Sequence, residues 1–391
     1  MRKRRIPTVY LDNAATTFPK PRAVIAETER ILRYSCGNPG RSSHRISMRA
    51  AETVYECRRR VADFFGGSDE RVIFTSSATH SLNLGIKTSL RKGDHVLISD
   101  IEHNSVIRPI NALAERGLIT FDVYSASGDA DSVLAEISAR LRPNTAMVIA
   151  CHRSNICNLT QPISRIGDFC RERGLLFLVD ASQSAGCVEI DMERDGIDIL
   201  CLPGHKGLYG IPGSGVALFG ERVVGDYGRR LSTFMEGGNG IRSRESVMPD
   251  FLPERLESGT LAVPAIGALS AGIGFVGGLG VREIARHERR LFRLLSEGFT
   301  VFNGKISTYG DGSEGGIVLF SAEGIGAEEL AERLDSYGIC VRAGLHCAPT
   351  AHRKLGTPDD GAVRVSFGAF NTVREVNYLL NALDIILKKY G

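Results

Sequence analysis

No C-x-x-C pair and no zinc-like spacing occur among the nine cysteines at positions 36, 57, 151, 157, 170, 187, 201, 340 and 347. Zinc modules are therefore not indicated, no metal site is expected, and the cysteines read as reduced thiols of a cytoplasmic protein. No apolar run is long enough to span a bilayer: the most apolar stretch, residues 262–276, is short and glycine-rich. The basic cluster Arg2-Lys3-Arg4-Arg5 is not followed by an apolar segment, so it reads as a solvated tail rather than a signal peptide. A net charge of +3 is nearly neutral for a chain of 391 residues. Neither a nucleic acid nor a membrane is implied as a partner. There are no low-complexity tracts or internal repeats. What remains is an ordinary globular composition, 43% hydrophobic and 24% charged, in a chain long enough for two domains.

Short apolar, β-branched runs alternate with amphipathic stretches. Strands are expected at 72–75, 95–99, 119–124, 146–150, 175–179, 197–202 and 216–219, with helices at 107–115, 132–140 and 163–173 among them. This alternation is that of an α/β protein with a mostly parallel sheet covered on both faces. In such sheets ligands bind at the C-terminal ends of the strands. From about residue 260 the pattern changes to helices at 265–280 and 281–298, a strand at 316–321, a helix at 327–337, short strands at 339–342 and 362–367, and a last helix at 373–388. The expected organisation is an N-terminal segment (1–20), a large domain (21–260) and a small α+β domain (261–391), with the chemistry in the cleft between them.

The chemistry is concentrated in a few short segments. Leu175-Leu-Phe-Leu-Val-Asp180 reads as a buried strand ending in a carboxylate, and Lys206 follows His205 in the glycine-rich segment Gly204-His-Lys-Gly207. An aspartate at a strand end and a lysine in that setting are what pyridoxal phosphate requires. The carboxylate keeps the pyridine nitrogen protonated, so the ring acts as an electron sink, and the lysine holds the aldehyde. Thr75-Ser-Ser-Ala78-Thr79-His80 follows a strand and opens a helix, where backbone N–H groups and the threonine hydroxyl suit a phosphate. His205 is placed to donate to that phosphate. His103 follows another strand, and its flat imidazole can stack on a pyridine ring or move a proton. Asn155 and Gln183 put amides at the same rim.

A second cluster lies in Arg342-Ala-Gly-Leu-His346-Cys347-Ala-Pro-Thr350. A cysteine in a polar loop with a nearby cation is suited to nucleophilic attack, because the thiolate is the reactive form. Arg364, on the short strand that follows, suits the carboxylate of an amino-acid substrate.

Together these residues resemble the cysteine desulfurases and selenocysteine lyases of the class V aminotransferase group. The resemblance runs almost end to end, through Tyr10-Leu-Asp-Asn-Ala-Ala-Thr-Thr17, Asn38-Pro-Gly-Arg-Ser-Ser-His44, Phe74 to Thr79, Glu102-His-Asn-Ser105, Ser154-Asn155, Asp180 to Gln183, Gly204 to Gly207, Glu257-Ser-Gly-Thr260, Arg342 to Pro349 and Arg364-Val-Ser366. It implies the PLP-dependent transferase fold of type I, with a seven-stranded sheet. It implies cofactor contacts from Ala78, Thr79, His103, Asn155, Asp180, Gln183, His205 and Lys206, with catalytic roles for Lys206, Cys347 and His103. Arg364 and Asn13 would hold the substrate. Thr260 would reach the phosphate of a partner subunit, which implies a homodimer with shared sites. Three positions depart from the family pattern: Pro203 replaces a serine, His80 replaces a glutamate, and the stretch after Asn155, Ile156-Cys-Asn-Leu-Thr160, lacks a glycine.

The activity expected from the resemblance is that of a sulfurtransferase taking L-cysteine to L-alanine with a persulfide left on Cys347, followed by transfer to an acceptor protein. The alternatives are a selenocysteine lyase acting on L-selenocysteine, a class V aminotransferase, and a non-catalytic binding protein that retains the fold.

Overall fold

The computed structural model describes residues 8–40, 42–224, 231–310 and 315–390. The basic cluster Arg2–Arg5 and Arg41 lie outside the described residues. In chain order the elements are β1 (Val9–Tyr10), α1 (Arg22–Tyr34), α2 (Arg45–Phe65), β2 (Val72–Thr75), α3 (Ala78–Ser89), β3 (Asp94–Ser99), α4 (Asn104–Glu115), β4 (Ile119–Tyr124), α5 (Ala130–Ala139), β5 (Thr145–Cys151), α6 (Ile163–Glu172) and β6 (Leu176–Asp180). There follow β7 (Ile199–Pro203), β8 (Gly215–Phe219), α7 (Glu221–Val224), α8 (Val263–Leu279), α9 (Val281–Phe299), β9 (Ile306–Tyr309), β10 (Ile317–Ala322), α10 (Ala327–Ser336), β11 (Ile339–Cys340), α11 (Pro349–Leu355), β12 (Val363–Ser366) and α12 (Val373–Tyr390).

The chain divides into two units. The larger comprises Lys20–His152 and Gln161–Leu279, and the smaller comprises the residues up to Pro19, Arg153–Thr160 and those from Gly280 onward. The expected boundary at 260 thus falls at 279, because α8 packs on α1 and α2 of the larger unit. This helix is apolar on all sides, and its glycines permit close approach. A Cβ on Gly272 would lie 2.0 Å from the Leu208 carbonyl oxygen. Residues 153–160 join the smaller unit, where the Asn158 side chain bonds both the N–H and the carbonyl of Ile317 on β10. Asn158 has φ 57°. It supplies the left-handed conformation in a stretch that lacks the family's glycine, as asparagine can at modest cost.

The larger unit holds a seven-stranded sheet in the order β2-β8-β7-β6-β5-β3-β4. Strands β3 to β7 pair in parallel, and β8 runs antiparallel to β2 and β7. Alternate side chains of its strands feed two separate cores. Val148, Phe177, Val179, Leu200 and Leu202 face one, and Met147, Ile149, Leu178, Ile199 and Cys201 face the other. That two-sided burial is why these strands read in sequence as continuous apolar runs. Strand β7, expected from 197, starts two residues later, since Ile197 and Asp198 bond back to Met192 and Phe177. The smaller unit has an antiparallel sheet β12-β10-β9, the parallel pair β1–β11 and its own core. Among the described residues no single helix is long and apolar enough to cross a membrane.

A buried ion pair fixes the edge strand that leads to α3. Arg58 pairs with Glu257 at 2.5 Å and donates to the Val72 carbonyl, while Glu257 accepts from the Phe74 N–H at 2.6 Å. This gives the Glu257-Ser-Gly-Thr260 segment a structural role that spacing alone did not suggest. Glu257→Ala would leave the Arg58 charge buried without its partner. The expected loss is about 3 kcal/mol of stability, measurable as a lowered denaturant midpoint with cofactor content followed in parallel.

Candidate active site

In the larger unit the expected residues gather at the C-terminal edge of the sheet. Lys206 lies in the loop after β7. Three backbone bonds fold this loop tightly: Gly204 N–H to Ser214 O (2.9 Å), Tyr209 N–H to Lys206 O (2.8 Å) and Gly210 N–H to Gly204 O (2.8 Å). Lys20 secures it from outside, its ammonium donating to the His205 carbonyl at 2.9 Å. Lys20 was not anticipated from sequence, since 185 residues separate the pair. Burial pushes the Lys20 pKa down to about 8. Burial, with Lys206 and Lys20 adding positive charge nearby, pushes His205 down to about 4. At neutral pH the His205 imidazole is therefore uncharged. Pro203 ends β7 opposite Gly215 and brings no hydroxyl to the site.

Asp180 ends β6, only 2% exposed, and pairs in register with Cys201 of β7. Its Oδ1 accepts from the backbone N–H and the hydroxyl of Ser182. On the other side of β6 lies a carboxyl whose importance the sequence did not reveal. Glu102 is fully buried, and its Oε1 accepts from the Ser99 hydroxyl (2.5 Å) and the Cys151 N–H (2.6 Å). Burial, partly offset by these donors and reinforced by the charge of Asp180, pushes Glu102 up to about 8. It is largely protonated at neutral pH.

Two helix N-termini meet nearby. Ser77 caps α3 by accepting the His80 N–H at 3.2 Å, which places Ala78 and Thr79 in the first turn. Thr79 Oγ1 lies 2.8 Å from Ser105 Oγ in the first turn of α4. His103 caps α4, its Nδ1 accepting the Ser105 N–H at 3.1 Å. The neutral imidazole must then carry its proton on Nε2. Both helix ends present partial positive charge to an anion. His80, which replaces a glutamate, packs at 5.4 Å on the ring of Phe234. Gln183 is half-buried just beyond Asp180, and Thr260 is exposed, its hydroxyl accepting from Asn38 at 3.2 Å.

In the smaller unit Cys347 sits on a loop closed by a short antiparallel ladder. Arg342 and Arg364 exchange both backbone bonds (3.2 and 2.7 Å), as do Gly344 and Ala362 (3.1 and 3.3 Å). Gly361 is required there: its φ is 87°, and a Cβ would lie 2.2 Å from the Gly344 carbonyl oxygen. At the tip, Ala348 N–H donates to Leu345 O at 2.9 Å across a turn whose central residues, His346 and Cys347, have φ of 50° and 57°. Positive φ at both central positions is the signature of the turn usually built from Asn-Gly. Cys347 is exposed, with its sulfur 3.8 Å from the Arg342 guanidinium.

Arg364 is 1% exposed and bonds Asp12 (2.7 Å) and the Asn155 carbonyl (3.1 Å). Burial lowers its pKa, opposed by Asp12. Its Nε and the Asn155 Oδ1 are buried without a hydrogen-bond partner among the described residues. Asn155 Nδ2 donates to the His346 carbonyl at 2.9 Å. Asn13, expected at the substrate, instead gives its N–H groups to the Ser366 carbonyl and Asn371 Oδ1, both at 3.0 Å, and accepts from Phe18 N–H. Its amide is committed to fastening the N-terminal segment.

Behind Cys347, His346 and His352 are both buried and bonded to one another. Burial, together with the charge of Arg364, pushes their pKa values down to about 2 and about 4. The unfolded chain takes up these protons near pH 6.5. A depressed histidine pKa therefore costs stability as pH falls below 6.5, with the contribution of His352 complete near pH 4. Glu102, whose pKa is raised, acts in the opposite sense, so the test is a difference. Wild type is expected to lose more stability than His352→Gln between pH 6.5 and 4, by at most about 1.4 kcal/mol per pH unit. Denaturant midpoints across that range measure it.

The donor set suits pyridoxal phosphate. A buried carboxylate ends β6, a lysine lies in the loop of the adjacent strand, and two helix N-termini meet at the same sheet edge. The class V aminotransferase family model matches residues 9–379. A probable cysteine desulfurase from Methanothermobacter thermautotrophicus is 33% identical over 97% of this chain and 94% of its own length. The cysteine desulfurase of Haloferax volcanii is 30% identical over 97% and 89%. The apo structure of a cysteine desulfurase from Thermococcus onnurineus NA1 superposes with a TM-score of 0.87 at 29% identity, each chain covered completely. With fold and relatives in agreement, the chain belongs to the class V aminotransferase family, whose members depend on pyridoxal phosphate.

Proposed function

We propose that this protein is a cysteine desulfurase, converting L-cysteine to L-alanine and leaving the sulfur as a persulfide on Cys347. The observation that carries the reading is the exposed Cys347 thiol, held in a left-handed turn 3.8 Å from a guanidinium, on a ladder whose opposite strand bears Arg364. An aminotransferase has no use for a thiol displayed in this way.

Pyridoxal phosphate, when bound, supplies a protonated ring that draws electrons from the substrate Cα. Lys206 would hold its aldehyde, Asp180 its ring nitrogen, His103 and Gln183 the ring and its oxygen, and Ala78, Thr79 and His205 its phosphate. Arg364 binds the substrate carboxylate through a charge-assisted pair. The amine of Lys206 takes the Cα proton. The thiolate of Cys347 attacks the substrate sulfur: an S–S bond forms, the substrate Cβ–S bond breaks, its electron pair stays on the carbon skeleton, Cβ gains a proton, and the Lys206 ammonium returns the proton to Cα. Cysteine and a thiol thus become alanine and a persulfide, with no outside oxidant or reductant.

Thr260, exposed beyond Gly259, is read as a contact to the phosphate of a second copy in a homodimer with shared sites. The persulfide sulfur then passes to an acceptor protein in the cytoplasm, where free thiols persist. Product analysis tests the assignment. With L-cysteine and a thiol reductant, alanine and sulfide should appear in equal amounts. A keto acid without sulfide would instead identify an aminotransferase.

A further inference from the structure

The turn that displays Cys347 is strained, and the residues that hold it are not those of the reaction. Two consecutive non-glycine residues with positive φ are strained, and such strain persists only where the surroundings enforce it. The reinforcement here is a chain of hydrogen bonds in one direction. His346 Nε2 faces the Arg342 carbonyl at 3.2 Å and can only donate to it. His346 Nδ1 must then accept, from His352 Nε2 at 3.1 Å. His352 Nδ1 accepts in turn, and its neighbour at 2.9 Å is the Thr357 hydroxyl. One tautomer of each neutral imidazole satisfies all three contacts. The two rings lie 8° from parallel, and both are 2% exposed.

We propose that His352 and Thr357 are positioning residues, acting through the His346 ring to keep Cys347 in its left-handed turn with the sulfur presented to substrate. This rests on the reading of Cys347 as the sulfur acceptor. Neither residue need touch substrate or cofactor. The loop is thus pinned at three levels: its base by the ladder to β12, its tip by Asn155 on the His346 carbonyl, and its flank by the imidazole chain from α11. Sequence motifs alone would mark His346 as the partner of the cysteine. The geometry makes it the middle of a brace that begins at Thr357.

The test uses the holoenzyme and three variants. In His352→Leu the brace is lost. In His352→Gln the side-chain amide can still donate in place of Nε2. In Thr357→Val only the last hydroxyl is removed. Each is assayed for alanine formation and for the alkylation rate of Cys347 by iodoacetamide, followed on its peptide. The leucine variant should lose about tenfold in kcat, on the scale of one or two hydrogen bonds. Its KM and cofactor absorbance should hold, and its alkylation rate should change. The glutamine variant should recover most of kcat, and the valine variant should fall between. Unchanged kcat and alkylation in the leucine variant would overturn the proposal. So would equal losses in the leucine and glutamine variants, since packing rather than hydrogen bonding would then be responsible. Alkylation is read without any turnover, so a failure of the desulfurase assignment leaves this test standing.

Discussion

Replacing Cys347 by alanine will lower alanine formation from L-cysteine by a factor on the order of 10³, the scale set by loss of a catalytic nucleophile. Cofactor content and thermal stability should stay at wild-type values. The thiol is exposed at the tip of its turn and contributes nothing to the core. The steps before sulfur transfer use other residues, so cysteine should still bind and the Cα proton should still exchange with solvent deuterium. L-selenocysteine provides the control. A selenol leaves more readily than a thiol and has less need of an attacking sulfur, so the same variant should retain more turnover with the selenium substrate. Undiminished turnover of cysteine would remove Cys347 from the reaction. Equal loss with both substrates would mean that the residue serves binding or structure instead.

The second large effect is at Lys206. The Lys206→Ala variant removes the amine that would both hold the cofactor and move the Cα proton. General-base catalysis alone is worth about 10²–10⁴ in rate, and loss of the covalent link adds to that. The variant should form no detectable alanine, and borohydride should no longer fix cofactor to the protein. Free amine added to the buffer should restore part of the Cα exchange. Lys20, the lysine nearest the loop in the hydrogen-bond network, has its ammonium engaged with the His205 carbonyl at 2.9 Å and is not expected to take over. A Lys206→Ala protein that still traps cofactor on borohydride treatment would point to Lys20 and overturn the assignment.

What could be read from sequence was what repeats or alternates. The strands of the larger sheet were legible because burial on both faces makes each one a short apolar run. The positions of Asp180 at the end of β6 and Lys206 in the loop after β7 were legible because each apolar run marks its strand. The ends of strands were less clear: Pro203 closes β7, although the apolar run stops at Leu202. The boundary at 260 was misplaced because α8 has no polar face to reveal which unit it covers. Asn13 looked available because its motif matched, but its amide is consumed by Ser366 and Asn371, more than 350 residues away. Glu102 and His352 were invisible for the same physical reason. Their roles come from partners that no motif marks: Cys151 and Asp180 on other strands for Glu102, and His346 and Thr357 in the loops flanking α11 for His352. Side chains act on one another through space, and spacing along the chain records only the contacts within one element.

The central claim is that the sulfur of cysteine comes to rest on Cys347, and mass analysis of peptides after a single turnover without reductant tests it most directly. One added sulfur atom is expected on the peptide that contains Cys347, in proportion to the alanine formed. Alanine formed with that peptide unaltered, or the added sulfur on Cys36 or Cys340 instead, would contradict it.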